Sequence, residues 1–369
     1  MNTISEKVAT VYSGYRFRFL GFNSILGLLF LFLSISPLYS TAVCIGLECS
    51  SLSRETILLS NLANPVLGEI YTDKFLSSMG QSAVLQNINS AMLGGNKVER
   101  NRIGIGYSMA RTKVSALDYF ENTELRDLPR LGVAASPSLS YRFNLGYALG
   151  LTGEWQKWDI SFHFFPYYLS ETNIPFLKIR NTDVSGRVLN SGLNARYFPF
   201  FTSDANAHPY LRNLSFGLGI YQTNQEIYLF AYDRRPTQFR IDGDTRRWIG
   251  INQLTYTSIL NSATADVRYA FSPFQFFSVY TGLGLVYNQG ITRIRVERYA
   301  AISSSENRDD FSTNPSSVGL DFRREYRLRN SNGYGILGVQ FFWNQISIGL
   351  EYLRNQSSES LNLGVQYSF

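Results

Sequence analysis

The chain has 369 residues, 44% of them apolar and 17% charged, with a formal net charge of +6 at pH 7. A mean hydropathy of −0.11 excludes a bundle of transmembrane helices, and so mild a positive charge makes no case for nucleic acid as a partner. Aromatic residues nevertheless make up 15%, which fits strands whose greasy and polar residues alternate and cancel in any average.

An apolar run from Phe19 to about Ser36 follows Lys7, Arg16 and Arg18 and precedes Pro37, Ser40, Thr41 and Ala42. A basic region, an apolar core and small residues at the end predict a secretory signal over residues 1–42, cleaved after Ala42. The competing reading is a transmembrane anchor, which Asn23, Ser24 and Pro37 shorten. Cys44 and Cys49, the only cysteines, lie just beyond and leave two readings: a local disulfide in an oxidising compartment, or lipidation of Cys44.

Residues 43–100 have a helical rhythm. Asn64 and Pro65 suit a cap and a first turn, and Leu67, Ile70, Tyr71 and Phe75 recur at helical spacing up to Gly80. A second run, with Val84, Ile88, Ala91 and Met92, stops at Gly94-Gly95. Two short amphipathic helices are predicted, whose apolar faces need a barrel lumen or a periplasmic partner to cover them. They make this segment a candidate plug.

From Arg102 onward the period becomes 2. The alternation predicts strands over residues 102–112, 136–151, 157–167, 187–199, 213–225, 251–269, 275–290, 331–343 and 345–353, and a last one over 360–369. A break in apolar parity falls near Leu260. The expected fold class is all-β membrane, an antiparallel transmembrane barrel over residues 101–369 of about 10 strands, with 12 to 14 also compatible, preceded by a short helical segment. Short connections at one end and long loops at the other alternate along the chain, the longest being residues 226–250 and 291–330. Trp155, Trp158, Phe198, Phe200, Phe201, Phe271, Phe274, Phe276, Phe341, Phe342, Trp343 and Phe369 gather near the short-turn end, as an interfacial girdle does.

The opposite parity lines the expected lumen. It is rich in glycine, including Gly104, Gly106, Gly146, Gly192, Gly217, Gly219, Gly282, Gly284, Gly338, Gly349 and Gly364, which leaves room for a plug or eases strand coiling. It also carries Arg142, Asp159, His163, Arg196, Asp266, Arg268 and Glu351. These charges read either as a constriction that selects solutes or as an internal salt-bridge network. No nucleophile, phosphate-loop or metal motif stands out, so no enzymatic activity, catalytic residue, cofactor or metal is expected. Asp204-Ala205-Asn206 reads as a turn rather than a calcium loop. The long loops hold arginines, among them Arg234, Arg235, Arg293, Arg295, Arg323, Arg324, Arg327 and Arg329. Basic, aromatic-bearing loops suit anionic host ligands or the anionic surface of the bacterium's own membrane.

In the last strand Leu361, Leu363, Val365, Tyr367 and Phe369 alternate with polar or small residues. Asn362, Gly364, Tyr367 and Phe369 resemble the C-terminal insertion signal of bacterial outer-membrane β-barrels. That resemblance implies the outer membrane of a Gram-negative (diderm) bacterium, with its lipid and the barrel-assembly machinery as partners. Asn64-Pro65-Val66 more weakly resembles the Asn-Pro-Ala hatch of long-chain fatty-acid transporters. One function is therefore expected first, with two alternatives. The first is a channel or transporter for small or hydrophobic solutes. The alternatives are a surface-exposed adhesin that binds a host ligand with its loops, and a structural barrel.

Overall fold

The computed structural model describes residues 39–45, 72–91, 94–114, 131–170, 182–201, 211–233, 237–241, 244–303 and 316–369. The cap at Asn64 and Pro65, Leu67, Cys49, the 204–206 turn and most of the predicted signal lie outside the described residues. Twelve strands occur: β1 (Tyr39–Ile45), β2 (Arg102–Lys113), β3 (Leu131–Asn144), β4 (Trp158–Leu169), β5 (Thr182–Tyr197), β6 (Leu214–Tyr232), β7 (Thr237–Ile241), β8 (Asp244–Phe274), β9 (Phe277–Ser303), β10 (Ser316–Trp343), β11 (Ile346–Arg354) and β12 (Ser358–Ser368). Among the described residues two α-helices accompany them, α1 (Asp73–Ser90) and α2 (Leu145–Leu149).

Ten strands close a ring in the order β2-β3-β4-β5-β6-β8-β9-β10-β11-β12, every neighbour antiparallel. The seam between β12 and β2 pairs Ser368 with Arg102 and Ser358 with Thr112, so the sheet has no open edge there. The architecture is an antiparallel β-barrel of the membrane type. Its outward residues form an apolar band that includes Ile105, Leu218, Ile220, Leu283, Leu285 and Leu363, all exposed. Residues of the other parity point inward and are polar, as a barrel with lipid outside and a polar interior requires. Among the described residues no helix is long and apolar enough to cross a membrane, which says nothing of strands.

The two ends differ. At the turn end lie the start of β2, the end of β12 and the two-residue turns 275–276 and 344–345. At the other, open end the wall is uneven. β11 stops after 9 residues, whereas β8, β9 and β10 run for 31, 27 and 28. Crossing a bilayer takes about 9–11 residues, so these three strands continue well past the apolar band. There they form a projecting sheet, with β7 added beside β8 and β1 beside β10.

Several sequence expectations change. The predicted loops 226–250 and 291–330 are largely strand, since β6 runs on to Tyr232 and the β9–β10 ladder pairs Ile302 with Ser316. The strand predicted to reach residue 151 ends at Asn144, whose side chain accepts a hydrogen bond from Tyr147 N at 3.0 Å and caps α2. Gly150 then ends α2 with a φ of 66°, a left-handed conformation that suits glycine. Gly146 consequently belongs to α2 rather than to the lumen wall. Phe198 leaves the girdle and is fully buried. Finally, the strand does not break at Leu260: Tyr256, Ser258, Leu260, Ser262 and Thr264 all face inward. The apolar parity shifts because Tyr256 and Leu260 have a greasy partner inside the barrel.

Candidate functional site: a filled lumen and a projecting sheet

That partner is α1. The two predicted helices are one, continuous through Gly80, because a glycine there lets the helix lie close to the wall. A Cβ at Gly80 would stand 3.1 Å from Thr292 Cγ2 and 3.3 Å from Leu328 Cδ2. On the facing side, a Cβ on Gly132 of β3 would overlap the Ser78 backbone. The gain in packing outweighs the roughly 1 kcal/mol that a mid-helix glycine costs relative to alanine.

α1 is buried by side chains of two kinds. Val84, Leu85 and Ile88 join a cluster with Leu260, Leu328, Tyr334, Ile336 and Leu353. Nearer the open end, Leu76 packs with Tyr256 and Ile294, and Phe75 lies against them with Phe322 and Tyr326. From Ser82 to Ser90 the polar residues of α1 are equally buried. Ser82 Oγ donates to Gly132 O at 2.8 Å and lies 2.7 Å from Thr112 Oγ1. Asn87 Nδ2 donates to Gln222 O and Thr223 Oγ1, both at 2.9 Å, and Asn87 Oδ1 lies 2.7 Å from His163 Nε2. Asn190 Nδ2 donates to Gln86 Oε1 at 2.8 Å, and Asn362 Nδ2 donates to Asn89 O at 2.6 Å. A buried polar group without a partner costs more than a made hydrogen bond returns, so these matched pairs specify one seating of the helix.

Below α1 the lumen charges meet. Arg142 pairs with Asp159 at 2.8 Å, and its Nη2 donates to Asn96 O at 2.9 Å. Arg196 pairs with Asp266 at 2.6 Å, Arg268 reaches Asp266 at 3.1 Å, and Arg268 also pairs with Glu351 at 2.7 Å. Tyr280 Oη donates to Glu351 at 2.9 Å. All six charged residues and His163 are buried. His163 stands apart from the ion pairs, against Asn87 and the Tyr221 ring, whose centroid is 5.8 Å away.

The lumen glycines serve this wall rather than leaving empty space. A Cβ on Gly338 would overlap the ring of its cross-strand partner Tyr280, and one on Gly284 the ring of Tyr334. Gly217 likewise makes way for the guanidinium of Arg196. Large inward side chains thus lie flat across glycines of the neighbouring strand.

The second region is the projecting sheet. Paired positions share a face, and the outward face of β9 and β10 carries Arg293, Arg295, Arg323, Arg327 and Arg329. Asp321 accepts from Arg295 Nη2 at 3.0 Å and from Arg323 Nη2 at 2.7 Å. Glu325 pairs with Arg293 at 2.7 Å, and Glu297 with Arg295 at 2.6 Å. The hydrogen bonds from Arg323 and Arg295 outweigh partial desolvation and hold the Asp321 carboxyl below its ordinary range. Five arginines against three acids leave this face basic.

At the C-terminus Asn362 and Gly364 point inward and are buried, while Tyr367 and Phe369 are exposed on the outer wall with ring centroids 6.3 Å apart. Tyr367 Oη donates to Gln345 Oε1 at 2.7 Å, and Phe369 N donates to Asn101 O at 3.0 Å across the seam. Sequence reasoning missed Gln86, Asn87, Asn89 and Asp73, and with them the wall partners Asn190 and Thr223. The available signal was a helix with charges only at Asp73 and Lys74 and uncharged polar residues all round, a composition suited to a polar interior. Among the described residues, no group of three or more His, Cys, Asp or Glu side chains could hold a metal ion.

No curated protein matches the sequence. Among solved structures, the chain is similar to CarO of Acinetobacter baumannii, with 12% identity, 58% of this chain and 96% of that one covered, and a TM-score of 0.24. It is similar to Ail, the attachment invasion locus protein of Yersinia pestis, with 12% identity, 74% and 100% covered, and a TM-score of 0.22. It is also similar to the toluene transporter TodX of Pseudomonas putida, with 11% identity, 79% and 96% covered, and a TM-score of 0.25. The Lsa36-like family matches residues 37–369, and the chain belongs to that family.

Proposed function

We propose that this protein is an integral outer-membrane barrel, closed by α1, that works as a surface-binding protein through its projecting sheet. The observation that carries this reading is the extension of β8, β9 and β10 past the apolar band, with Arg293, Arg323, Arg327 and Arg329 exposed on one face. Guanidinium groups spaced along paired strands suit an extended polyanion, such as a sulfated glycan or an acidic segment of a host protein. The turn end, with Tyr367 and Phe369, faces the periplasm in this reading, and the last strand serves as the insertion signal. The open end faces outward.

The rival, a channel for small or hydrophobic solutes, draws support from the polar lining of the lumen but requires α1 to leave it. Two measurements separate them. Cells displaying the protein should retain a sulfated polysaccharide at physiological salt, and R293Q/R323Q/R327Q/R329Q should reduce retention at least tenfold without changing the amount of folded barrel. Unchanged retention by the quadruple variant would sink the binding reading. In planar bilayers the full barrel should show no steady conductance, whereas deletion of residues 43–99 should produce it; a stable open channel in the intact protein would favour the rival.

A further inference from the structure

α1 has a direction. Its first turn touches the open end, where Asp73 pairs with Arg324 and Leu76 packs on Ile294. Its partners then descend each strand in step. On β10 they run from Arg324 past Leu328, and Gly94, beyond the helix, meets Gln340 near the turn end. On β2 they run from Thr112, bonded to Ser82, to Ser108, bonded to Gln86. The chain then passes Arg142 at Asn96 and Asp159 at Val98, and enters β2 at the turn end. The polypeptide therefore threads the lumen from the open end to the turn end before it builds the first barrel strand.

A second observation agrees. β1 precedes α1 and pairs with the projecting part of β10; its residues beyond the expected cleavage after Ala42, namely Val43, Cys44 and Ile45, pair with Gly319, Val318 and Ser317. β10 has a free edge there because β11 stops opposite Gly335. An unpaired edge exposes a row of backbone donors and acceptors, and residues 43–45 cover part of it. Gly319, opposite Val43, and Arg324, which holds Asp73, both belong to the projecting part of β10, so Val43 and Asp73 both stand at the open end.

We infer that the barrel carries its own N-terminal segment through the lumen and displays it on the cell surface, with α1 as the stalk and residues 43–45 of β1 added to the edge of the projecting sheet. The N-terminal end of the mature chain thus lies on the side of the projecting sheet rather than in the periplasm. This inference rests on the open end facing outward. It also gives the lumen network a role: the hydrogen bonds of Gln86, Asn87 and Asn89 hold the stalk after passage, which keeps the membrane sealed.

Epitope insertion in intact cells tests it. One variant carries the tag between Ser51 and Leu52, a second carries it in the β9–β10 connection, and a third in the turn at residues 153–157. The first two should bind antibody on intact cells, and the third only after the outer membrane is permeabilised. If the β9–β10 tag is accessible and the Ser51 tag is not, display of the N-terminal segment is overturned while the orientation stands. If neither is accessible on intact cells, the orientation fails and the inference with it. The unmodified protein provides an independent measurement in case an insertion prevents folding. Trypsin added to intact cells should cut after Arg54 and leave a barrel fragment beginning at Glu55; an uncut Arg54 in cells where Arg308 is cleaved would overturn the inference.

Discussion

Asp73 and Arg324 stand 251 positions apart in sequence, yet Arg324 Nε donates to Asp73 Oδ1 at 2.6 Å where α1 enters the barrel. The acid lies in the first turn of the helix, where its charge also complements the helix dipole. The arginine comes from the part of β10 beyond the membrane. The pair therefore ties the plug to the projecting sheet.

Either single substitution at this pair, D73N or R324Q, should lower the barrel's unfolding free energy in urea by about 1–2 kcal/mol, a partly buried charge-assisted pair being stronger than an exposed one. The exchange D73R/R324D should recover part of the loss. A double-mutant cycle on refolded protein measures the coupling, expected at about 1 kcal/mol.

Glu351 lies against Arg268 and Tyr280 in the lumen, and among the described residues the other ion-pair partner of Arg268 is Asp266. E351Q leaves that guanidinium under-compensated in a buried site, a change that costs about 3 kcal/mol. The expected outcome is a lower temperature for loss of the folded barrel's gel mobility. E351Q should be more damaging than E325Q, whose arginine partner Arg293 is exposed on the projecting sheet.

At Gly132 any side chain meets the backbone of Ser78. G132V should displace α1 without disturbing the ladder, since valine suits a strand. Proteolysis of α1 in the folded barrel should accelerate, and conductance should appear in planar bilayers. The same substitution at Gly333, where a Cβ has only atoms at 3.8 Å or more nearby, should leave both unchanged.

Asn87 satisfies Gln222, Thr223 and His163 at once. N87L removes these bonds and leaves His163 without that partner, at an expected cost of about 2–3 kcal/mol. N87S should be milder because a hydroxyl fits the site. Urea unfolding of the two variants distinguishes them.

The carboxyl of Asp321 is held below its ordinary range by Arg323 and Arg295, against the opposing effect of partial burial. A carboxylate whose folded value is depressed contributes stability that is present above the unfolded value of about 3.9 and lost as pH falls through the lower folded value. Amide protection in the β9–β10 extension, corrected for the intrinsic pH dependence of exchange, should therefore hold down to about pH 4 and fall below it. In D321N the extension should exchange faster at neutral pH, with a smaller additional change on acidification.

The ten barrel strands, and the side most of their residues face, were readable from residues such as Ile103 to Met109 and Leu361 to Phe369. Lipid outside and polar groups inside impose period 2 on each strand locally, and no distant contact is needed to create it. Beyond the bilayer that constraint disappears. The backbone of β8, β9 and β10 goes on pairing while outward residues turn to arginine and threonine, so the extensions looked like loops. Leu260 and Tyr256 misled for the converse reason: they are apolar because α1 covers them, and only the folded chain brings α1 there. The seven lumen residues could be named from parity alone. Which of them pair, that His163 meets Asn87 and that Asp73 meets Arg324 are decided by the registers of strands far apart in sequence. Only ring closure sets those registers against one another and around the helix.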